Sequence, residues 1–153
     1  MANIIALALQ CNLTAACSLV LGNESGQFAM PYLSYGGIYH QSIHCCGGGA
    51  EFDVTRGHLS AQSANVIQQL INKNVINNTI FMEVTDMGDG NAHTSSDIPL
   101  IMAGAGGRIS RGVSTAGGSS YTPLNMLATA GAIMNAGQNS KYVYGNVSVI
   151  PGV

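Results

Sequence analysis

Two short apolar runs, Thr79-Ile80-Phe81-Met82-Glu83-Val84 and Ile98-Pro99-Leu100-Ile101-Met102-Ala103-Gly104, enclose a loop of opposite character, Asp86-Met87-Gly88-Asp89-Gly90-Asn91-Ala92-His93. Runs this short, rich in branched and aromatic residues and bounded by Gly and Asn, suit buried strands better than helices. A polar loop held between two strands is where an α/β protein usually carries its ligands. A second stretch, His40-Gln41-Ser42-Ile43-His44-Cys45-Cys46, has similar character, and the two together hold three of the four histidines. They stand out because only 8% of the chain is charged, against about 25% in an ordinary soluble domain.

Around these loops the chain divides into recognisable segments. Residues 2–10 are helix-like, with Ile4, Ile5, Leu7 and Leu9 too dense for a strongly amphipathic surface helix. Ala15–Leu21 reads as a buried strand ended by Gly22-Asn23-Glu24-Ser25-Gly26. After the first His stretch, Gly47-Gly48-Gly49 breaks the chain. A long helix then runs from about Val54 to Lys73, with Leu59, Val66, Ile67, Leu70 and Ile71 on one side. Strands are expected at Thr79–Thr85 and Ile98–Ala103. A Gly- and Ser-rich stretch over Ser110–Ser120 precedes a last helix, Leu124–Asn135, which Thr122 and Pro123 are placed to start. Tyr142–Ile150 alternates enough for an edge strand. The order helix, strand, helix, strand, strand, helix, strand predicts a single α/β domain over 1–153, a mostly parallel sheet flanked by helices.

At 153 residues the chain is able to bury roughly 70% of its unfolded surface. A net charge of −2 provides no field for nucleic acid or an anionic membrane. The longest apolar stretches are too short to span a bilayer, and no basic residues open a secretory signal at the N-terminus. So bare a surface offers little repulsion against self-association, which points to a homo-oligomer, a filament or a larger partner. Cys11 and Cys17 read as buried thiols serving as small hydrophobes. Cys45 and Cys46 are adjacent, a poor geometry for bridging each other, and no Cys-x-x-Cys pair supports structural zinc.

The candidate chemistry lies in the two polar loops. His40 and His44 are four residues apart and would face the same way on a helical turn, as metal-binding pairs do. Asp86, Asp89, Asn91 and His93 follow the end of a strand, offering carboxylate, amide and imidazole ligands suited to zinc, calcium, manganese or magnesium. The competing reading is a plain turn in which these side chains bond the local backbone. His58, within the long helix, reads as a satisfied structural histidine. Arg108 and Arg111 flank the Gly-rich segment and read as solubilising, with anion binding as the alternative. The Gly104–Gly107 run lacks the following Lys-Ser/Thr of a phosphate loop. No Gly-x-Ser-x-Gly elbow supports a serine hydrolase.

Taken in order, Leu21-Gly22-Asn23-Glu24, His40-x-x-x-His44, Asp89-Gly90-Asn91-x-His93, Ile98-Pro99-Leu100-Ile101-Met102-Ala103-Gly104 with Gly106-Gly107, and Thr122-Pro123-Leu124-x-x-Leu127 resemble the C-terminal part of the HxxSHH family. These are secreted bacterial proteins of unknown function that are in turn similar to the alkaline phosphatase and sulfatase superfamily. The resemblance implies the C-terminal half of an alkaline phosphatase-like fold, an exported origin at the cell surface or in the periplasm, and a metal site. In that site His40, His44, Asp89, Asn91 and His93 would be ligands, with Asp86 and Cys45 as possible additions. Where the family motif has Ser and a final His, this chain has Ile43 and Cys45. The superfamily's nucleophile lies in an N-terminal half that this chain does not contain, so the resemblance implies a fragment, a shortened relative, or a subunit whose partner supplies the rest.

Two functions follow as expectations. One is a metal-binding, hydrolase-like module acting on phosphate or sulfate esters. The other is a non-catalytic assembly protein that associates through its uncharged faces.

Overall fold

In the computed structural model the described residues are 1–23, 25–44, 49–110, 112, 121–134 and 149–150. Their contacts gather into two compact units. One holds Met1–Lys73 with Gly90–Ala92, the other Asn74–Asp89 with His93–Val153.

The first unit is helical. Helices α1 (Ala2–Gln10), α2 (Tyr39–His44) and α3 (Ala50–Asn72) are joined by irregular chain. In α3 the buried positions are Thr55, Leu59, Ser63, Val66 and Leu70, a stripe advancing by three or four residues that marks one face of a helix. Ile71, expected on the same side, is nearly half exposed. Glu51 and Asp53 lie in the first turn, where carboxylates complement the helix dipole. The hydroxyl of buried Thr55 donates to the carbonyls of Glu51 and Phe52, so a polar group enters the stripe without losing its hydrogen bonds. α1 packs on α3 and buries Ala6, while the Gln10 side chain donates to the Lys73 carbonyl at 3.2 Å.

Residues 1–23 contain no Asp, Glu, Lys or Arg, and Ile4, Leu13 and Val20 are 64%, 79% and 71% exposed. The expected buried strand over Ala15–Leu21 does not form. Residues 15–20 are exposed, irregular chain with no strand partner among the described residues. An apolar run becomes a strand only when a neighbouring strand accepts its backbone bonds. Cys11 and Cys17, expected to be buried, are both exposed and free, because they belong to this same uncovered stretch.

The second unit contains the sheet. β1 (Ile80–Val84) pairs with β2 (Leu100–Gly104) in antiparallel register, Ile80 opposite Gly104 and Val84 opposite Leu100. This corrects the expected mostly parallel sheet and, with it, the alkaline phosphatase-like architecture. The described residues form four helices and one two-stranded antiparallel sheet, a small mixed α/β arrangement. The physical reason is the connection. A parallel return needs a crossover, usually a helix, whereas residues 85–99 contain no helix and turn back on themselves. The expected strand over Tyr142–Ile150 lies outside the described residues except for Val149 and Ile150.

Ala105, Ile109 and Ile133 form the buried centre of this unit, with Ile80 and Met102 packed against it. Helix α4 (Pro123–Met134) begins where Thr122 and Pro123 place it. Both the backbone N–H and the hydroxyl of Thr122 donate to Asn125 Oδ1 at 2.8 Å, the reciprocal half of a capping box. At the other end Arg108 Nη1 donates to the Ile133 carbonyl at 3.3 Å. The expectation of a merely solubilising Arg108 is therefore corrected, since its side chain ties the Gly-rich turn to the last turn of α4. Arg111 and most of Ser110–Ser120 lie outside the described residues. No helix among the described residues is long and apolar enough to cross a membrane.

Candidate metal centre

The first unit holds His40 and His44 together with Gly90–Ala92 of the second polar stretch. Its loop before α2 runs alongside the start of that helix. Ala29 and Ile38 form an antiparallel bridge, Tyr39 N–H donates to the Phe28 carbonyl at 2.9 Å, and His40 N–H donates to the Gly26 carbonyl at 3.0 Å. Phe28 stacks on Tyr39 with ring centroids 5.1 Å apart, and Tyr39 on Phe52 at 6.2 Å. That aromatic column fixes α2 against α3. Ser42, 1% exposed, returns its hydroxyl proton to the Tyr39 carbonyl at 2.7 Å. With Ser42 facing inward, His40 and His44 share another side of the turn.

The sequence spacing of the two histidines is realised as contact. Their Nε2 atoms are 3.0 Å apart and their rings tilt by 46°. His40 Nδ1 lies 2.9 Å from the Ser25 carbonyl oxygen. A carbonyl only accepts, so Nδ1 carries the proton and, in the neutral ring, Nε2 is left as a lone pair. This is the outer-shell bond that metal-ligating histidines characteristically make.

The second stretch reaches the pair through its tip. Gly88 N–H donates to the Thr94 carbonyl and Thr94 N–H to the Asp89 carbonyl, both at 3.1 Å, which closes residues 88–94 into a tight hairpin. The tip, Gly90–Ala92, packs with the first unit. Asn91 Oδ1 lies 3.4 Å from His44 Nδ1, a long contact. When His44 donates from Nδ1 to that oxygen, its Nε2 lone pair faces the lone pair of His40 across the 3.0 Å gap. In the other tautomer His44 donates from Nε2 to His40 and the contact is an ordinary hydrogen bond; with both lone pairs facing, a proton or a metal ion would bridge them.

His93 follows the tip within the closed hairpin, at a positive φ of 53°. Ring nitrogens of His40, His44 and His93 all lie within 4.8 Å of one another, close enough to hold a metal ion. A tetrahedral zinc with Zn–N bonds of about 2.0–2.1 Å would set its nitrogens about 3.3–3.4 Å apart. His40 is half-buried, while His44 and His93 are exposed, so the group opens to solvent.

Of the residues expected from the sequence, His40, His44, Asn91 and His93 are brought together. Asp86 and Asp89 are exposed and do not belong to the three-histidine group; Asp89 serves the hairpin, bridging Thr94 through its backbone. Cys45 and Cys46 lie outside the described residues. His58 takes the structural place expected of it, its Nε2 3.2 Å from the Tyr32 hydroxyl and 3.4 Å from Gln62 Nε2. Sequence reasoning missed Ser25, which acts through its backbone carbonyl and has no side-chain signal, and Gly90, whose role is steric.

No family model matches this chain, and neither does any curated protein or solved structure at the significance required.

Proposed function

We propose that this chain is a metalloprotein that binds one divalent transition metal, zinc first, through His40, His44 and His93. The observation that carries the reading is the 3.0 Å approach of two Nε2 atoms, with His40 held in the tautomer that presents its lone pair. Three imidazoles without a carboxylate favour zinc, copper or nickel over calcium or magnesium, which prefer oxygen. Three protein ligands leave a position for water, and a zinc-bound water is an effective nucleophile near neutral pH. The activity we propose for such a site is hydrolysis of phosphate or sulfate esters. Its exposure gives an ester access, and Asn91 is placed beside His44 to hold that ring.

The first test is metal content per chain, by elemental mass spectrometry on protein purified without chelator or affinity metal. One transition metal per chain, lost in His44→Ala and His93→Ala, is the expected result. Folded protein without metal, and without affinity for added zinc, overturns the proposal. Turnover of aryl phosphate and aryl sulfate by the zinc-loaded chain then tests the hydrolytic part.

A second reading rests on a separate observation. The uncharged segment 1–23 exposes Ile4, Leu13 and Val20, and association of like chains would cover them. Native mass across a concentration series tests it. A monomer at all concentrations removes this reading and leaves the first untouched.

A further inference from the structure

The second unit contains a notch of about 520 Å³ lined by Asn77, Asn78, Ala105, Gly106, Gly107 and Arg108. The metal reading makes no use of it. Its volume is in the range of small-ligand sites, roughly 300–1,000 Å³. Its lining contains one cation, two carboxamides and no carboxylate.

The guanidinium is anchored. Arg108 Nε donates to the Ala105 carbonyl at 2.8 Å and Nη1 to the Ile133 carbonyl at 3.3 Å. A guanidinium carries five N–H donors in a rigid fork, so two such bonds hold the group in place and leave donors for a ligand. Capping α4 requires only the Ile133 bond; the notch beside the fork is a separate feature. The turn beneath it is held in an unusual conformation, with φ of 101° at Gly104, 59° at Ala105, 61° at Gly106 and 89° at Gly107. A β-carbon on Gly104 would collide with the Thr79 carbonyl oxygen. Ala105 is fully buried and adopts a left-handed conformation that costs a non-Gly residue about 1–3 kcal/mol. Its N–H is held to the Thr79 carbonyl at 2.9 Å. Gly106 and Gly107 line the notch with backbone instead of side chains.

We infer that the notch beside Arg108 binds a small oxyanion, the terminal phosphate or sulfate group of a small ligand, received by the guanidinium fork and the carboxamides of Asn77 and Asn78. Charge-assisted bonds from a fixed guanidinium to a tetrahedral oxyanion are the strong and geometrically selective kind. Arg108 is thereby a ligand-binding residue as well as a cap.

Isothermal titration of the full chain with inorganic phosphate, and separately with sulfate, tests this. A His44→Ala background treated with chelator keeps anions from being counted at a metal. The expected result is saturable binding of one anion per chain, weakened about tenfold or more, near 1.4 kcal/mol, in Arg108→Gln and in Asn78→Asp. The anion saturating at lower concentration identifies the ligand's head group. Asn78 lies exposed in a short turn, so Asn78→Asp keeps the fold and places a negative charge in the notch even if Arg108→Gln loosens α4. No saturable binding of either anion, or equal binding by a folded Asn78→Asp chain, overturns the inference.

Discussion

A β-carbon on Gly90 would come within 2.5 Å of Ile43 Cγ2, so the hairpin tip rests on α2 at the one place where a side chain is absent. Ile43 lies directly before His44, and Gly90 directly before Asn91. This contact therefore sets how the second polar stretch meets the first. Gly90→Ala should push the tip away and weaken zinc binding by about 10–100-fold, the usual size of a supporting-shell defect, with the thermal midpoint almost unchanged. A competition titration against a chromophoric chelator measures it. Unchanged affinity would mean that α2 does not position the tip.

Metal should stabilise the fold, because the ligands converge only in the native chain. Zinc at a hundred times its dissociation constant adds about 2.7 kcal/mol, which raises the midpoint of a chain this size by about 5–10 °C. Calorimetry with zinc, then with excess chelator, should show the rise and its reversal. His93→Ala should show neither.

His58 offers the contrasting case of an imidazole with a structural task. His58→Ala removes the 3.2 Å bond to the Tyr32 hydroxyl and the edge contact between the rings, whose centroids are 5.4 Å apart. The expected cost is about 1–2 kcal/mol, read from denaturant unfolding. Metal content should stay at the wild-type value, which separates this histidine from the other three.

Leu70 is 2% exposed at the centre of the α3 stripe. Leu70→Ala should cost about 2–5 kcal/mol. Ile71→Ala, at a position 46% exposed, should cost less than half of that. Paired denaturation curves measure the difference, and equal losses would contradict the placement of the stripe.

The elements legible in the sequence were those whose signal is local. The periodic stripe of α3, the Thr122-Pro123 start of α4 and the two apolar runs that became β1 and β2 each depend on residues close in the chain. Strand direction was not legible, because the alternation of helix and strand suggested crossovers while the connection between β1 and β2 contains none. The apolar run Ala15–Leu21 had the composition of a strand but no partner among the described residues, and composition carries no information about partners. At the site, spacing alone paired His40 with His44. Bringing Asn91 to His44 across 47 residues is a tertiary event, signalled only by the unusual polarity of the loop. The Ser25 carbonyl that selects the His40 tautomer leaves no mark on the sequence, since every residue has a carbonyl.

The uncharged opening segment has a consequence for how this protein behaves in solution. No side chain between Met1 and Asn23 is an Asp, Glu, Lys or Arg, so moderate sodium chloride has little side-chain charge to screen on that surface. Association through side chains such as Leu13 and Val20, where it occurs, would follow the thermodynamics of apolar hydration: it would strengthen on warming, and again with sulfate, which is excluded from protein surfaces. For this end of the molecule, temperature and lyotropic salt are the controlling variables.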